Sequence, residues 1–213
     1  MCAMSRHKDQ QARRDHFVAA ARRRIVQQGL APVRLRHIAD EAGLSPGLVT
    51  YYFPELDELF REVYSDAVDR FYTQRRKMVE HTSDPRLRLL AMIRSGLPTG
   101  PDDEICALLS EFGPQVSRNA VVKVLRKTLY ERQVTLYESI LDTGAALSAF
   151  RLKSAAHTIA SNLVALEDAY SHHIIAAVAV SREQAEDYLV DFASSATDCD
   201  LSATERESHV PLS

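Results

Sequence analysis

Four residues, Gly43-Leu44-Ser45-Pro46, restrict this chain more tightly than any other stretch. Before them Leu35, Ile38, Ala39 and Ala42 recur at helical spacing, and Gly43 can take the left-handed conformation that ends a helix without a Cβ penalty. After them Ser45 offers a hydroxyl to cap free backbone amides, and Pro46 stands where a first helical residue needs no N–H. The pattern predicts a helix near Leu35–Ala42, a tight turn, and a short helix from Pro46. Phe53-Pro54 must end that helix, because a residue preceding proline avoids helical geometry. Val49 and Phe53 share one face and should point inward. Pro46, Gly47, Leu48, Thr50, Tyr51 and Tyr52 are left outside, and two phenols beside a hydroxyl are poor core material.

The remainder reads as helix throughout. Phe17, Val18, Ala21, Ile25 and Val26 form one apolar stripe, closed by Gly29. A long amphipathic helix is expected over about 55–81, with Leu56, Leu59, Phe60, Val63, Ala67, Phe71 and Met78 on one side. Asp84-Pro85 opens another to about Ser95, and "GLPTGPDDE" (96–104) is a Gly/Pro turn. Further helices are expected near 102–112, 117–142, 149–178 and 181–196, with "DTGAALS" and "AVSREQ" as joints. Sustained β-alternation and Asn-Gly hairpin signals are missing, so the predicted class is all-α. The expected division is 1–54, 55–196 and a patternless, disordered tail over 197–213.

Charge separates the ends of the chain. Residues 1–53 hold nine Lys/Arg against four Asp/Glu, whereas the rest holds 17 against 25. A basic end on an acidic body suggests a footprint for a polyanion at one end only. Arg6, Lys8, Arg13 and Arg14 are expected to form a flexible basic arm ahead of the first helix. No apolar run reaches membrane-spanning length, and the first 17 residues lack the apolar core of a signal peptide. Cys2, Cys106 and Cys199 have no metal or disulfide spacing, which suits a reducing cytoplasm.

Two short helices around a tight turn are the geometry of a helix-turn-helix, whose second helix enters the major groove of DNA. Gly47 permits close backbone approach, Tyr51 and Tyr52 can donate to phosphates, and Thr50 can meet a base edge or a thymine methyl. With Arg34, Arg36 and Ser45 these residues form the expected DNA surface. The stretch "LRHIADEAGLSPGLVTYYF" (35–53), together with "FVAAARRRIVQQG" (17–29), resembles the DNA-binding signature of the TetR family of bacterial transcriptional regulators. The resemblance runs over about residues 12–60 and implies a dimeric, ligand-responsive regulator with an all-helical sensor. Two departures stand out. Thr50 occupies a position where the family often has Tyr. Leu56 replaces the phosphate-holding Lys of the family's "FPxK" turn, amid Glu55, Asp57 and Glu58. Affinity should then lean on Arg34, Arg36, Tyr52 and the basic arm.

The acidic body carries the remaining expectations. The last two helices have more apolar faces than one core requires, so Ala156, Ile159, Leu163, Tyr188, Leu189 and Phe192 are expected at a homodimer interface. In the resembled family these helices pair with their twofold mates. Such a dimer would present recognition helices about 34–36 Å apart to a near-palindromic operator. "NLVALEDAYSHH" (162–173) resembles a segment of the betaine-pathway repressors within the family. Candidate effector-lining residues are Phe112, Tyr130, Tyr137, Glu138, Asn162, Glu167, Asp168 and Tyr170. Carboxylates among tyrosines suit a polyamine or another amine, and a neutral apolar effector is the other choice. His157, His172 and His173 share a helix at spacings unsuited to one metal site, and no cofactor is expected. No GxSxG, GxxxxGK[ST] or HExxH motif occurs, which argues against an enzyme. An effector-independent DNA-binding activator or packaging protein is the alternative.

Overall fold

The computed structural model describes residues 2–80 and 82–202, with side chains from residue 9 onward. Helix α1 spans Cys2–Gln28, so the expected basic arm is part of a helix. The reason is local: residues 2–16 contain neither Gly nor Pro and include several Ala, Gln and Arg, so nothing stops the helix from extending. Arg13 and Arg14 lie on it, while the side chains of Arg6 and Lys8 fall outside the described ones. Helices α2 (Leu35–Ala42) and α3 (Pro46–Tyr52) follow as predicted. Gly43 takes φ 64° between them, and its N–H and that of Leu44 bond back to α2 carbonyls. Ser45 caps α3 by accepting from the Leu48 amide.

The other helices are α4 (Leu56–Glu80), α5 (Pro85–Gly96), α6 (Glu104–Glu111), α7 (Ala120–Ala146), α8 (Ala156–Ile175) and α9 (Arg182–Thr197). A 3-10 turn over Gly113–Gln115 precedes α7. No strand occurs among the described residues, and the fold is all-α. Contacts divide the chain into two units, Met1–Asp69 with Ala107–Arg126, and Arg70–Cys106 with Lys127–Ser213. The division differs from a cut at residue 54, because the first turns of α4, the end of α6 and the start of α7 join the N-terminal unit.

The first unit packs Phe17, Ala21, Ile25, Ile38, Val49, Phe53, Leu59 and Val63, all fully buried. Phe17 meets Phe53 edge-on at 6.4 Å between centroids. Phe112 packs against Tyr64 at 4.9 Å and against Phe60 at 6.3 Å. The Leu30 amide donates to Glu111 Oε2 at 2.9 Å, which pins the end of α1.

The second unit is built on Leu89, Leu90, Met92, Ile93, Ile140, Leu141, Ile159, Leu163, Val164 and Leu189. Three expectations fail here. "DTGAALS" is a joint only at its end: α7 runs on to Ala146 and turns at Leu147 and Ser148, and a Cβ on Gly144 would come within 2.0 Å of the Phe150 ring. The glycine serves packing and does not break the helix. Residues 149–155 are extended instead of helical, because Arg151 and Lys153 donate their amides to the Thr197 and Ala196 carbonyls at the end of α9. The tail does not loosen at 197 either. Leu201 is fully buried and its amide bonds Ser194 Oγ, while residues 203–213 lie outside the described ones. On α4 the apolar stripe runs through buried Val79, leaving Met78 56% exposed.

Candidate nucleic-acid interface and effector-site residues

The reading face of α3 rests on Val49 and Phe53, both fully buried. Ser45, Pro46, Gly47, Thr50 and Tyr51 are exposed around them, and Leu48 and Tyr52 are half-buried. Tyr51 stands 71% exposed, its ring edge-on to Tyr52 at 5.2 Å. Tyr52 in turn packs on Phe17 at 5.8 Å, so it braces Tyr51 from the core side. Thr50 donates its hydroxyl to the Pro46 carbonyl at 3.1 Å, which leaves its methyl and lone pairs for an outside partner. Arg34 and Arg36 are exposed at the start of α2. Arg34 Nη1 donates to the Ala31 and Val33 carbonyls at 2.7 and 2.8 Å, and Arg36 Nε donates to His37 at 3.2 Å. Neither arginine is tied to a carboxylate among the described residues.

The basic charge of the N-terminal end is partly neutralised from within. Arg14 pairs with Glu58 at 2.9 Å and with Glu62, Arg22 with Asp66 at 3.1 Å, and Arg23 and Arg24 with Glu41 at 2.7 and 3.1 Å. These arginines fasten α1 to α2 and α4. Arg13, Arg34 and Arg36 are exposed and form no ion pair with the described residues. Leu56, at the position where the resembled family often has a phosphate-holding Lys, is half-buried. Arg14, close by, is occupied with Tyr52 and the acids of α4.

The expected effector residues separate. Phe112 is 1% exposed in the first unit, where it lines a cleft of about 150 Å³ with Leu30, Val33 and Phe60. In the second unit Tyr130 is 38% exposed, Asn162 is exposed and Asp168 half-buried. Glu138 pairs with His157 at 2.9 Å, and Tyr170 packs against Tyr188 at 5.7 Å. Tyr137 and Glu167 are joined by a hydrogen bond from the phenol to the carboxylate. Both are buried in the second unit, together with two residues the sequence reading passed over, Arg75 and Gln133.

Arg75 Nη1 and Nη2 meet Glu167 Oε2 and Oε1 at 2.7 and 2.8 Å, a bidentate pair. Nη1 also donates to Gln133 Oε1, and Nη2 to the Met92 carbonyl at 3.1 Å. Burial pushes the Glu167 carboxyl above the ordinary carboxylate range, against the pull of Arg75. Burial opposes the charge on Arg75 too, but Glu167 outweighs it and raises that guanidinium. The Tyr137 phenol is pushed well up, by burial first and the Glu167 charge second. A sequence signal existed: Ala67, Phe71, Arg75 and Val79 recur every four residues, placing an arginine inside the apolar stripe of α4.

The dimer candidates need revision. Ile159, Leu163 and Leu189 are 1%, 0% and 0% exposed in the core of their own unit and offer no surface to a partner. Ala156 and Phe192 are half-buried, and Tyr188 is 49% exposed beside Tyr170. No helix among the described residues is long and apolar enough to cross a membrane.

A capped two-helix corner that holds exposed hydroxyls and arginines over a buried aromatic base has the geometry of a DNA-binding helix-turn-helix. Residues 17–63 match the family described as bacterial regulatory proteins, tetR family, so this part of the chain carries a domain of that kind. Its fold is similar to that of a transcriptional regulator from Saccharomonospora viridis in complex with choline, at 23% identity over 86% of this chain and 96% of that one, TM-score 0.79. It is also similar to a TetR transcription regulator from Haloarcula marismortui, at 20% identity over 89% and 99%, TM-score 0.78. A TetR-family regulator from Rhodococcus sp. matches at 20% identity over 87% and 98%, TM-score 0.71. At these identities the likeness concerns the fold. Comparison with curated proteins returned no match.

Proposed function

We propose that the protein is a ligand-responsive repressor that binds a near-palindromic operator as a homodimer and leaves it when a small organic cation binds the second unit. The observation that carries the DNA half is the α3 face, with Tyr51 71% exposed above fully buried Val49 and Phe53. Thr50 and Gly47 read base edges in this proposal, while Tyr51, Arg34 and Arg36 hold phosphates. The half-exposed ring pair Tyr170–Tyr188, with Phe192 and Ala156, supplies the dimer face. The cation reading rests on a buried carboxylate, Glu167, bordered by the Tyr137 ring. The choline bound to the Saccharomonospora viridis protein is consistent with that ligand class.

Release by a factor of 100 needs about 2.7 kcal/mol of differential affinity between the two states. Helix α4 is the proposed lever, since its residues 56–69 belong to the first unit and 70–80 to the second. The test is fluorescence anisotropy on DNA flanking the protein's own gene, against scrambled DNA, over a salt series. Selective binding with a steep salt slope is expected, weakened by amines such as choline or putrescine. Selective binding that no amine or apolar compound alters would favour the effector-independent alternative. Equal, weak binding to both DNAs, persisting after unfolding, dialysis and refolding, would count against the operator reading.

A further inference from the structure

The guanidinium of Arg75 is surrounded by groups suited to a cation. Glu167 meets it with both oxygens, Gln133 and the Met92 carbonyl accept from it, and the rings of Phe71 and Tyr137 lie 5.4 and 5.6 Å from its central carbon. All of these groups belong to the second unit, and Arg75, Tyr137 and Glu167 are 1%, 0% and 2% exposed. α5 makes room for the carboxylate: a Cβ on Gly96 would lie 2.0 Å from Glu167 Oε1. Yet the fit is incomplete, because the buried Nε–H of Arg75 has no hydrogen-bond partner among the described residues. A free cation need not bring that unmet donor.

We propose that Glu167, Tyr137, Phe71 and Gln133 form a recognition site for a small organic monocation, of guanidinium or alkylammonium type, in which the Arg75 guanidinium is the resident cation that the effector displaces. The proposal rests on the effector-responsive reading above and names how that site is regulated. Charge balance decides the ligand class. A monocation taking the place of Arg75 keeps Glu167 neutralised, whereas a neutral or anionic ligand entering there would strand a buried charge. Displacement also removes the bonds by which Arg75 ties α4 to α5, α7 and α8. Arg75 is thus a positioning residue for α4 and a competitor of the effector.

The test uses the full chain and needs no DNA, so its failure is distinguishable from failure of the operator reading. Thermal unfolding of the native protein, Arg75→Ala and the double variant Arg75→Ala/Glu167→Gln is followed in methylguanidinium and in choline, against sodium at equal ionic strength. One of the two organic cations should raise the midpoint of Arg75→Ala saturably, by about 4 °C or more. The double variant should not respond, and the native protein should need at least about tenfold more of the same cation, because its own arginine competes. If Arg75→Ala folds only when refolded with methylguanidinium or choline, the proposal stands. It is overturned if Arg75→Ala gains nothing specific or stays unfolded in both cations. A gain that survives in the double variant, or equal cation requirements for native protein and Arg75→Ala, overturns it too.

Discussion

Arg14 Nη1 donates to the carbonyl of Tyr52 at 2.8 Å, so a side chain of α1 fixes the C-terminal end of the recognition helix. The same guanidinium lies 4.2 Å over the Phe53 ring and pairs with Glu58 and Glu62 of α4. Three elements meet at one side chain. Replacing Arg14 by Ala should destabilise the first unit by about 1–2 kcal/mol, the range of a charge-assisted hydrogen bond discounted for partial exposure. DNA affinity should fall for all sequences alike, since α3 loses its anchor and not its reading residues. Chemical denaturation and anisotropy on operator and scrambled DNA check both expectations. A loss confined to the operator would show that Arg14 reads sequence.

Thr50 and Tyr51 should separate by role. Tyr51→Phe removes an exposed donor and should weaken binding on operator and scrambled DNA together. Thr50→Ala should relax preference at one base step by about 1 kcal/mol. Tyr52→Phe should weaken binding across all sequences as well, by less than Tyr51→Phe, because its ring already packs on Phe17. Selection of bound DNA from a randomised library reads out preference directly. An unchanged preference with Thr50→Ala would move the groove contact elsewhere on α3.

Core and interface on the last two helices should respond differently. Leu163→Ala empties a fully buried site and should cost about 2–5 kcal/mol of stability. Tyr188→Ala, at a position 49% exposed, should leave monomer stability nearly unchanged and weaken self-association. Sedimentation equilibrium beside denaturant unfolding distinguishes the two. Unaltered association in Tyr188→Ala would place the dimer face elsewhere.

Asp103 links the turn before α6 to pH. Burial raises its carboxyl, but amide bonds from Cys106 and Thr99 and the Thr99 hydroxyl outweigh it, so the net pKa is below the ordinary 3.8. A depressed carboxylate contributes stability that is present above the unfolded value and is lost as pH falls through the folded one. Asp103→Ala should cost about 1 kcal/mol at neutral pH, as loss of a helix cap does, with a smaller difference below about pH 3.8. Unfolding curves at pH 7 and pH 3 test the sign.

Gly144 provides a packing test. An alanine there would thrust its Cβ to 2.0 Å from the Phe150 ring, although alanine is the better helix former. Gly144→Ala should therefore destabilise by about 1–3 kcal/mol, and adding Phe150→Leu should restore part of the loss. Stabilisation by the single variant would mean that propensity governs this position.

The sequence by itself determined the all-α class and the α2–turn–α3 corner, because caps, Pro46 and Gly43 act within a few residues of themselves. Val49 and Phe53 as inward residues were legible for the same reason. Tertiary structure decided the rest. Gly144 looked like a helix end until Phe150, brought back by the 149–155 segment, occupied the space beside it. Residues 149–155 carry helical-looking apolar spacing, yet their amides find carbonyls at the end of α9. Ile159, Leu163 and Leu189 have the periodicity of an interface, but periodicity records only that a face is buried and not by whom. Glu167 was visible in the sequence only as a candidate lining carboxylate. Its counter-ion lies 92 positions earlier in the chain, and only the packing of α4 against α8 brings Arg75 to it.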